Sequence, residues 1–332
     1  MTLAGPIPPI ILRMPLPHLL LVNLGTPDAP TPESVRRFLD EFLSDPDVID
    51  FPKWLWQPIL QGIILRTRPK KVAHAYESIW TPDGSPLRTS TERIVARLRA
   101  ESDGQFTVSA AYRYGEPSIA SEKARLKAEG VAKIVVVPLF PQRTSSTTGT
   151  AFRRAFESAV ALQLDVPVID RVIPATDPGY IQAQADRYFE AIADEPAPPD
   201  HIVISYHGIP ECYDRNERRS YSSDCCHTTT SLLEAIRWPV EKSTLTFQSK
   251  FGPERWLTPA TDAVLEALPA RGVKSVAVIT PGFVTDGLET IEEIGDRGRE
   301  SFLEAGGERF IRVAAVDTHP AFIRSLAQLA VA

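Results

Sequence analysis

The chain has 332 residues, enough for about two domains. Its 43% apolar and 23% charged residues are ordinary for a globular protein, and its net charge of −6 gives no support for nucleic-acid binding. No apolar run approaches the ~18–20 residues of a membrane-spanning helix, and three cysteines make no disulfide framework, which points to a reducing compartment such as the cytoplasm.

Residues 1–17 are apolar and proline-rich, without a basic start or a small-residue cleavage site, and are expected to form a flexible tail. Leu19 to Leu24 has the length and all-apolar character of a strand buried on both faces. Thr31, Pro32 and Glu33 then start a helix that presents Val35, Phe38, Leu39 and Phe42 on one face. Residues 51–71 crowd Phe51, Trp54, Leu55, Trp56, Ile59, Leu60 and Ile63–Leu65 ahead of Arg66, Arg68, Lys70 and Lys71. A core helix with a basic end fits that pattern. So does an apolar lip that meets a membrane surface or an apolar substrate.

Helix is expected over 90–102, strand over 106–112, helix over 116–129 and strand over 134–140. A polar loop at 141–149, a helix from 150 and a strand at 166–173 complete the first half. Asp177-Pro178 caps a helix to about 194, and 195–199 read as a linker. The second half alternates in the same way: strand 201–206, helix 224–237, strand 244–248, helix 259–268, strand 275–280, helix 286–304 and strand 310–316. A last helix spans 320–330. Such alternation builds parallel, right-handed, doubly wound sheets.

The halves share phrases in one order. His18 to Pro27 answers His201 to Pro210, Ala111 to Gly115 answers Gln248 to Gly252, and Gly130 to Pro138 answers Gly272 to Pro281. The expectation is an α/β protein of two similar, Rossmann-like domains related by pseudo-symmetry. Their bounds are 18–176 and 177–318, with the helix in 319–332 free to pack back on the first. Facing halves make a cleft lined by strand C-termini.

His207 lies at such a strand end, where the repeat has Leu24 in the first half. After another strand, Asp286, Glu289, Glu293 and Asp296 are spaced by three, four and three, which places them on one α-helical face. A solvated acidic stripe is one reading. In a cleft, grouped carboxylates are costly unless they hold protons or a cation. An imidazole opposite carboxylates suits a reaction in which a divalent metal arrives at a macrocycle as two N–H protons leave. A non-catalytic ring carrier is a rival from another class. A nucleotide-binding transferase lacks any G-x-G-x-x-G or Walker loop.

Ser205-Tyr206-His207-Gly208-Ile209-Pro210, taken with Pro281-Gly282-Phe283 through Glu293, resembles the ferrochelatases. So do Leu21 to Pro27, Gly84 to Leu87, Tyr112 to Gly115, Phe140 to Gln142, Ser146 to Gly149 and Thr246 to Ser249. The resemblance covers about 18–330. It implies chelatase-type domains that insert Fe²⁺ into protoporphyrin IX, the terminal step of haem biosynthesis, with iron as substrate and no permanent cofactor. His207 and Glu289 become the catalytic pair facing the ring from opposite sides. Those two with Glu293 and Asp286 become the groups that handle metal. Leu24, Arg113, Tyr114, Ser146, Thr147 and Phe283 become substrate contacts. The 51–66 stretch, with Trp54, Leu55, Trp56 and Ile59, becomes the mouth, peripheral on the inner face of the membrane. A monomer and a homodimer are equally compatible.

Some departures matter. Gly287 stands where many relatives have His or Cys, and Leu24 favours protoporphyrin over coproporphyrin. Cys212, Cys225 and Cys226 are too few for the four-cysteine [2Fe-2S] cluster of some members, and a small site built from them with His227 is a poor chelate. A cobalt or nickel chelatase of a sirohydrochlorin-type ring is the rival of the same architecture.

Overall fold

The computed structural model describes residues 16–216 and 220–331; all but the last two residues of the expected 1–17 tail lie outside them. Four buried apolar residues in a row begin the fold. Leu19, Leu20, Leu21 and Val22 are wholly buried in strand β1 (Pro17–Gly25), each side chain contributing about 1.5–3 kcal/mol. Burial on both faces is what a central parallel strand requires. β1 lies between β2 (Thr107–Tyr114) and β3 (Lys133–Pro138), with β4 (Val168–Asp170) at the edge, in the order β2-β1-β3-β4. The second sheet repeats this order with β5 (His201–His207), β6 (Ser243–Gln248), β7 (Ser275–Ile279) and β8 (Arg309–Arg312), as β6-β5-β7-β8. All of these pairings are parallel.

The register tests the repeat residue by residue. His18 sits opposite Ile134 and His201 opposite Val276, as the matched phrases require. On the other side the halves diverge: Ala111 pairs with Val22, but Gln248 pairs with His207. The slip of two residues keeps every side chain on its own face. It places Gln248 directly beside His207. The two histidines that open the halves are structural: His18 bonds Thr107 and Ser109 at 2.7 Å each, and His201 bonds Thr244 at 2.8 Å. Burial pushes the His18 imidazole down to about 4 and lowers that of His201, so both stay neutral.

Helices α1 (Pro32–Leu43), α2 (Lys53–Ile59), α3 (Leu65–Ile79), α4 (Pro86–Glu101), α5 (Ile119–Glu129) and α6 (Thr150–Ala161) flank the first sheet. Thr31 caps α1 as expected, accepting from the Ser34 N–H. α7 (Pro178–Ile192) joins both cores: Tyr180 and Ile181 pack with the first, Ala185 and Tyr188 with the second. α8 (Glu211–Asn216), α9 (Tyr221–Ala235), α10 (Thr261–Ala267) and α11 (Arg299–Glu304) belong to the second half. α12 (Pro320–Val331) crosses back onto α4, β1 and β3, where Phe322, Ile323 and Leu326 are wholly buried.

The strands β4 and β8, at one edge of each sheet, are shorter than expected. A larger difference concerns the expected helix over 286–304. Residues Glu289–Gly298 form a π-helix, and only Arg299–Glu304 is α-helical. A second π turn, Leu60–Ile64, separates α2 from α3. No described helix is long and apolar enough to cross a membrane.

Candidate active site

In each sheet the chain leaves the central strand in opposite directions, and that switch point, beyond the strand C-termini, is where an open α/β sheet places its ligand crevice. In the second sheet it lies between the ends of β5 and β7. His207 ends β5, and Phe283 follows β7 with its ring centroid 6.5 Å from the imidazole. His207 Nδ1 is 2.7 Å from the Gly208 carbonyl oxygen. A carbonyl only accepts, so Nδ1 carries a proton, and Nε2 is the ring nitrogen left to present a lone pair when the imidazole is uncharged. Nε2 makes no hydrogen bond among the described residues. The strand end is held through its backbone: Tyr221 donates to the His207 carbonyl at 2.9 Å, and Gly208 N–H donates to Gln248 at 2.8 Å.

The acidic row runs along the π-helix, whose i→i+5 bonding turns each residue through a smaller angle than an α-helix does. Glu289 and Glu293, four apart, stay on one face. Asp296 does not; it is exposed. Burial raises the Glu289 carboxyl above its ordinary range, opposed by a backbone hydrogen bond and the His207 charge and reinforced by the charge of Glu293. The half-buried acid thus lies within range of the imidazole's charge. Glu293 accepts from Ser249 N–H at 2.9 Å, from its hydroxyl at 2.5 Å and from Gln248 at 3.3 Å. Asp286 departs from the expected row: it accepts from Arg312 at 2.8 Å and Thr290 at 2.7 Å, which neutralises it and anchors the helix start. Among the described residues no three His, Cys, Asp or Glu side chains gather as one metal cage. His207, Glu289 and Glu293 do not form one. Gly287 has room: a Cβ there would meet Glu289 Oε2 at 3.4 Å and Leu87 at 3.9 Å.

The first half supplies an apolar wall. Leu24, Phe42, Trp56, Trp80, Phe251, Leu288 and Ile291 pack around a buried cluster that includes Tyr76 and Tyr114, so it joins both sides of the crevice. Tyr76 on α3 is a site residue the sequence reading missed; burial and then the Glu289 charge raise its hydroxyl pKa. Arg68 caps the wall with its guanidinium 4.1 Å from the Phe251 ring centre. Outward from it, Trp54 is 76% exposed, Leu55 38% and Ile59 41%. Trp56 differs, being turned inward with its indole N–H on the Leu43 carbonyl at 2.7 Å.

Arg113 and Tyr114 correct the expected substrate contacts. Tyr114 has no exposed surface, and its hydroxyl donates to Asp45 at 2.9 Å. Arg113 donates to Thr150 at 2.6 Å and to Asp45. Both are spent on the Asp45 carboxylate, which is 1% exposed and also holds Arg153 at 2.7 Å. An open cavity of about 550 Å³ borders this cluster but contains neither His207 nor Glu289. Asp45→Ala leaves Arg113 buried without its counter-charge, so a loss of about 3–5 kcal/mol in urea unfolding is expected. Ser146 and Thr147 lie half-buried in a π turn beyond β3, bonded to Thr144. Cys225 is buried in the second core, whereas Cys212 and Cys226 are exposed; all three are free thiols.

The comparisons bear directly on this arrangement. A family model described as Ferrochelatase matches residues 18–332. The chain belongs to the ferrochelatase family. It is 44% identical over 316 residues to the ferrochelatase of Pectobacterium atrosepticum, covering 94% of this chain and 96% of that protein. It is 45% identical over 308 residues to that of Rhizobium meliloti, covering 91% and 90%. Among solved structures, SirB from Bacillus subtilis with Fe³⁺ superposes with a TM-score of 0.56 at 12% identity, covering 94% of this chain and 92% of that one. A SirB structure in complex with cobalt gives 0.55 at 11%. At such identities the likeness is one of fold. Membership of the ferrochelatases makes the chain an enzyme, a lyase of haem biosynthesis, as its motifs imply.

Proposed function

We propose that the chain inserts Fe²⁺ into protoporphyrin IX, with His207 and Glu289 acting from opposite sides of the ring. A histidine whose Nδ1 is fixed on Gly208 and a half-buried acid within range of its charge support this reading. Two pyrrole N–H protons leave as one Fe²⁺ enters. Nε2 of His207 accepts a proton from the ring, Glu289 takes the other, and Glu293 passes it outward or receives the incoming cation. Leu24, Phe283, Leu288 and Ile291 supply apolar contact for the flat ring. Arg113, Tyr114 and Asp45 brace the wall from behind. Ser146 and Thr147 offer hydroxyls at its edge. Anaerobic incubation with protoporphyrin IX and Fe²⁺, or Zn²⁺ as surrogate, should give the metalloporphyrin spectrum with turnover. Binding without turnover would favour a carrier, and turnover only with a sirohydrochlorin and Co²⁺ would favour the other chelatase class.

Trp54, Leu55 and Ile59, followed by Arg66, Lys70 and Lys71, support a second part of the reading: the mouth rests on an anionic membrane surface. Trp54→Ser with Ile59→Ser should cut sedimentation with vesicles containing anionic lipid at least severalfold. Turnover with detergent-dispersed porphyrin should persist. Unchanged sedimentation would remove the membrane from the account.

A further inference from the structure

The acidic row is held by residues of another strand. Gln248 ends β6 and is 3% exposed. Its amide oxygen accepts from Ser205 at 2.8 Å, and its amide nitrogen donates to the Glu289 carbonyl oxygen at 3.0 Å and to Glu293 at 3.3 Å. Ser249 adds its N–H and hydroxyl to the same Glu293 carboxylate. Ser249 has φ +64°, a left-handed conformation that non-glycine residues hold at a cost and that concentrates at working sites. Capping is no explanation, because Glu293 lies within the π-helix and not at its end.

Gln248 is also the register partner of His207. One residue thus touches both glutamates and lies beside the histidine's strand. A side chain bonded to a helical carbonyl is a recognised cause of local departure from α geometry, and here that carbonyl belongs to the first residue of the π-helix.

We infer that Gln248 and Ser249 are positioning residues that keep Glu289 and Glu293 on one face opposite His207. The inference rests on the proposed roles of those two acids. It goes beyond them in assigning their alignment to a two-residue clamp at the C-terminal end of β6.

Ser249→Gly is the informative variant, since glycine relieves the left-handed backbone while removing the hydroxyl. Gln248→Met removes the amide at similar volume. With Zn²⁺ and protoporphyrin IX, each should lower kcat about tenfold or more, with porphyrin KM changed less than about twofold. The unfolding midpoint of Ser249→Gly should not fall. In a Glu293→Gln background, adding Ser249→Gly should cost nothing further, because the carboxylate it positions is already gone. Near-wild-type kcat in Ser249→Gly, or an equal loss in both backgrounds, overturns the positioning role alone. Full activity in Glu293→Gln overturns the role of that acid and the clamp with it. If Gln248→Met does not fold, the Ser249→Gly cycle decides.

Discussion

Replacing His207 by alanine lowers kcat by roughly 10²–10⁴-fold, the range expected when a positioned acid–base group is lost. The fold survives. What holds this strand end is backbone: the Tyr221 hydroxyl on the His207 carbonyl, and the Gly208 N–H on Gln248. Alanine keeps both, so the unfolding midpoint should stay within about 2 °C of wild type. Porphyrin affinity, followed by fluorescence quenching, should also change little, because the apolar wall of the crevice remains. Added imidazole should restore part of the rate by filling the space left behind. The Nδ1–H to Gly208 bond fixes Nε2 as the free lone pair, so a small imidazole in that space can accept a ring proton as His207 does. A variant with wild-type kcat would end the role of His207.

Glu289→Gln should lose about 10²-fold or more in kcat, and its stability should change with pH in an informative direction. The folded carboxyl pKa is raised, chiefly by burial. The native state therefore binds this proton more tightly than the unfolded chain does. Stability from that source is fully present below the unfolded pKa and is lost as pH rises through the folded one. At pH 7–8 the wild type bears the cost of a buried charge, and glutamine removes it. The variant should be the more stable protein at pH 8, and the difference should vanish near about pH 4, the ordinary glutamate range. Activity moves the other way. Wild-type kcat should fall in acid, with a midpoint above that range, as the base becomes protonated; the variant should lack this limb. Thermal unfolding and kcat measured from pH 4 to 8 check both. Lower stability of the variant at pH 8 would contradict the burial of this carboxyl.

Much of the architecture was legible in the chain itself. Apolar runs such as Leu19–Val22 and Val276–Ile279 read as strands buried on both faces, and their regular alternation with helices favours parallel sheets. The paired phrases announced two alike halves, and the sheets share one strand order. His207 stood out because the symmetry breaks there. The acids stood out by spacing, but spacing assumes an α-helix. The π winding and the pairing of Asp286 with Arg312 reduce the four-carboxylate row to Glu289 and Glu293.

Arg113 and Tyr114 show the same limit from another side. Their position at the C-terminal end of β2 points towards the crevice, yet Asp45, some 70 residues earlier in the chain, draws both polar groups away. No local pattern reveals so distant a partner. The same holds for Tyr76, whose hydroxyl on α3 lies within range of the Glu289 charge, and for Gln248, which the two-residue slip of β6 brings beside His207. Periodicity, turn residues and burial are properties of neighbouring residues, so the sequence by itself determined the two-sheet frame and the histidine at its strand end. Which acids remain available, and what holds them in line, depends on contacts between residues far apart in the chain, and only the tertiary structure decided that.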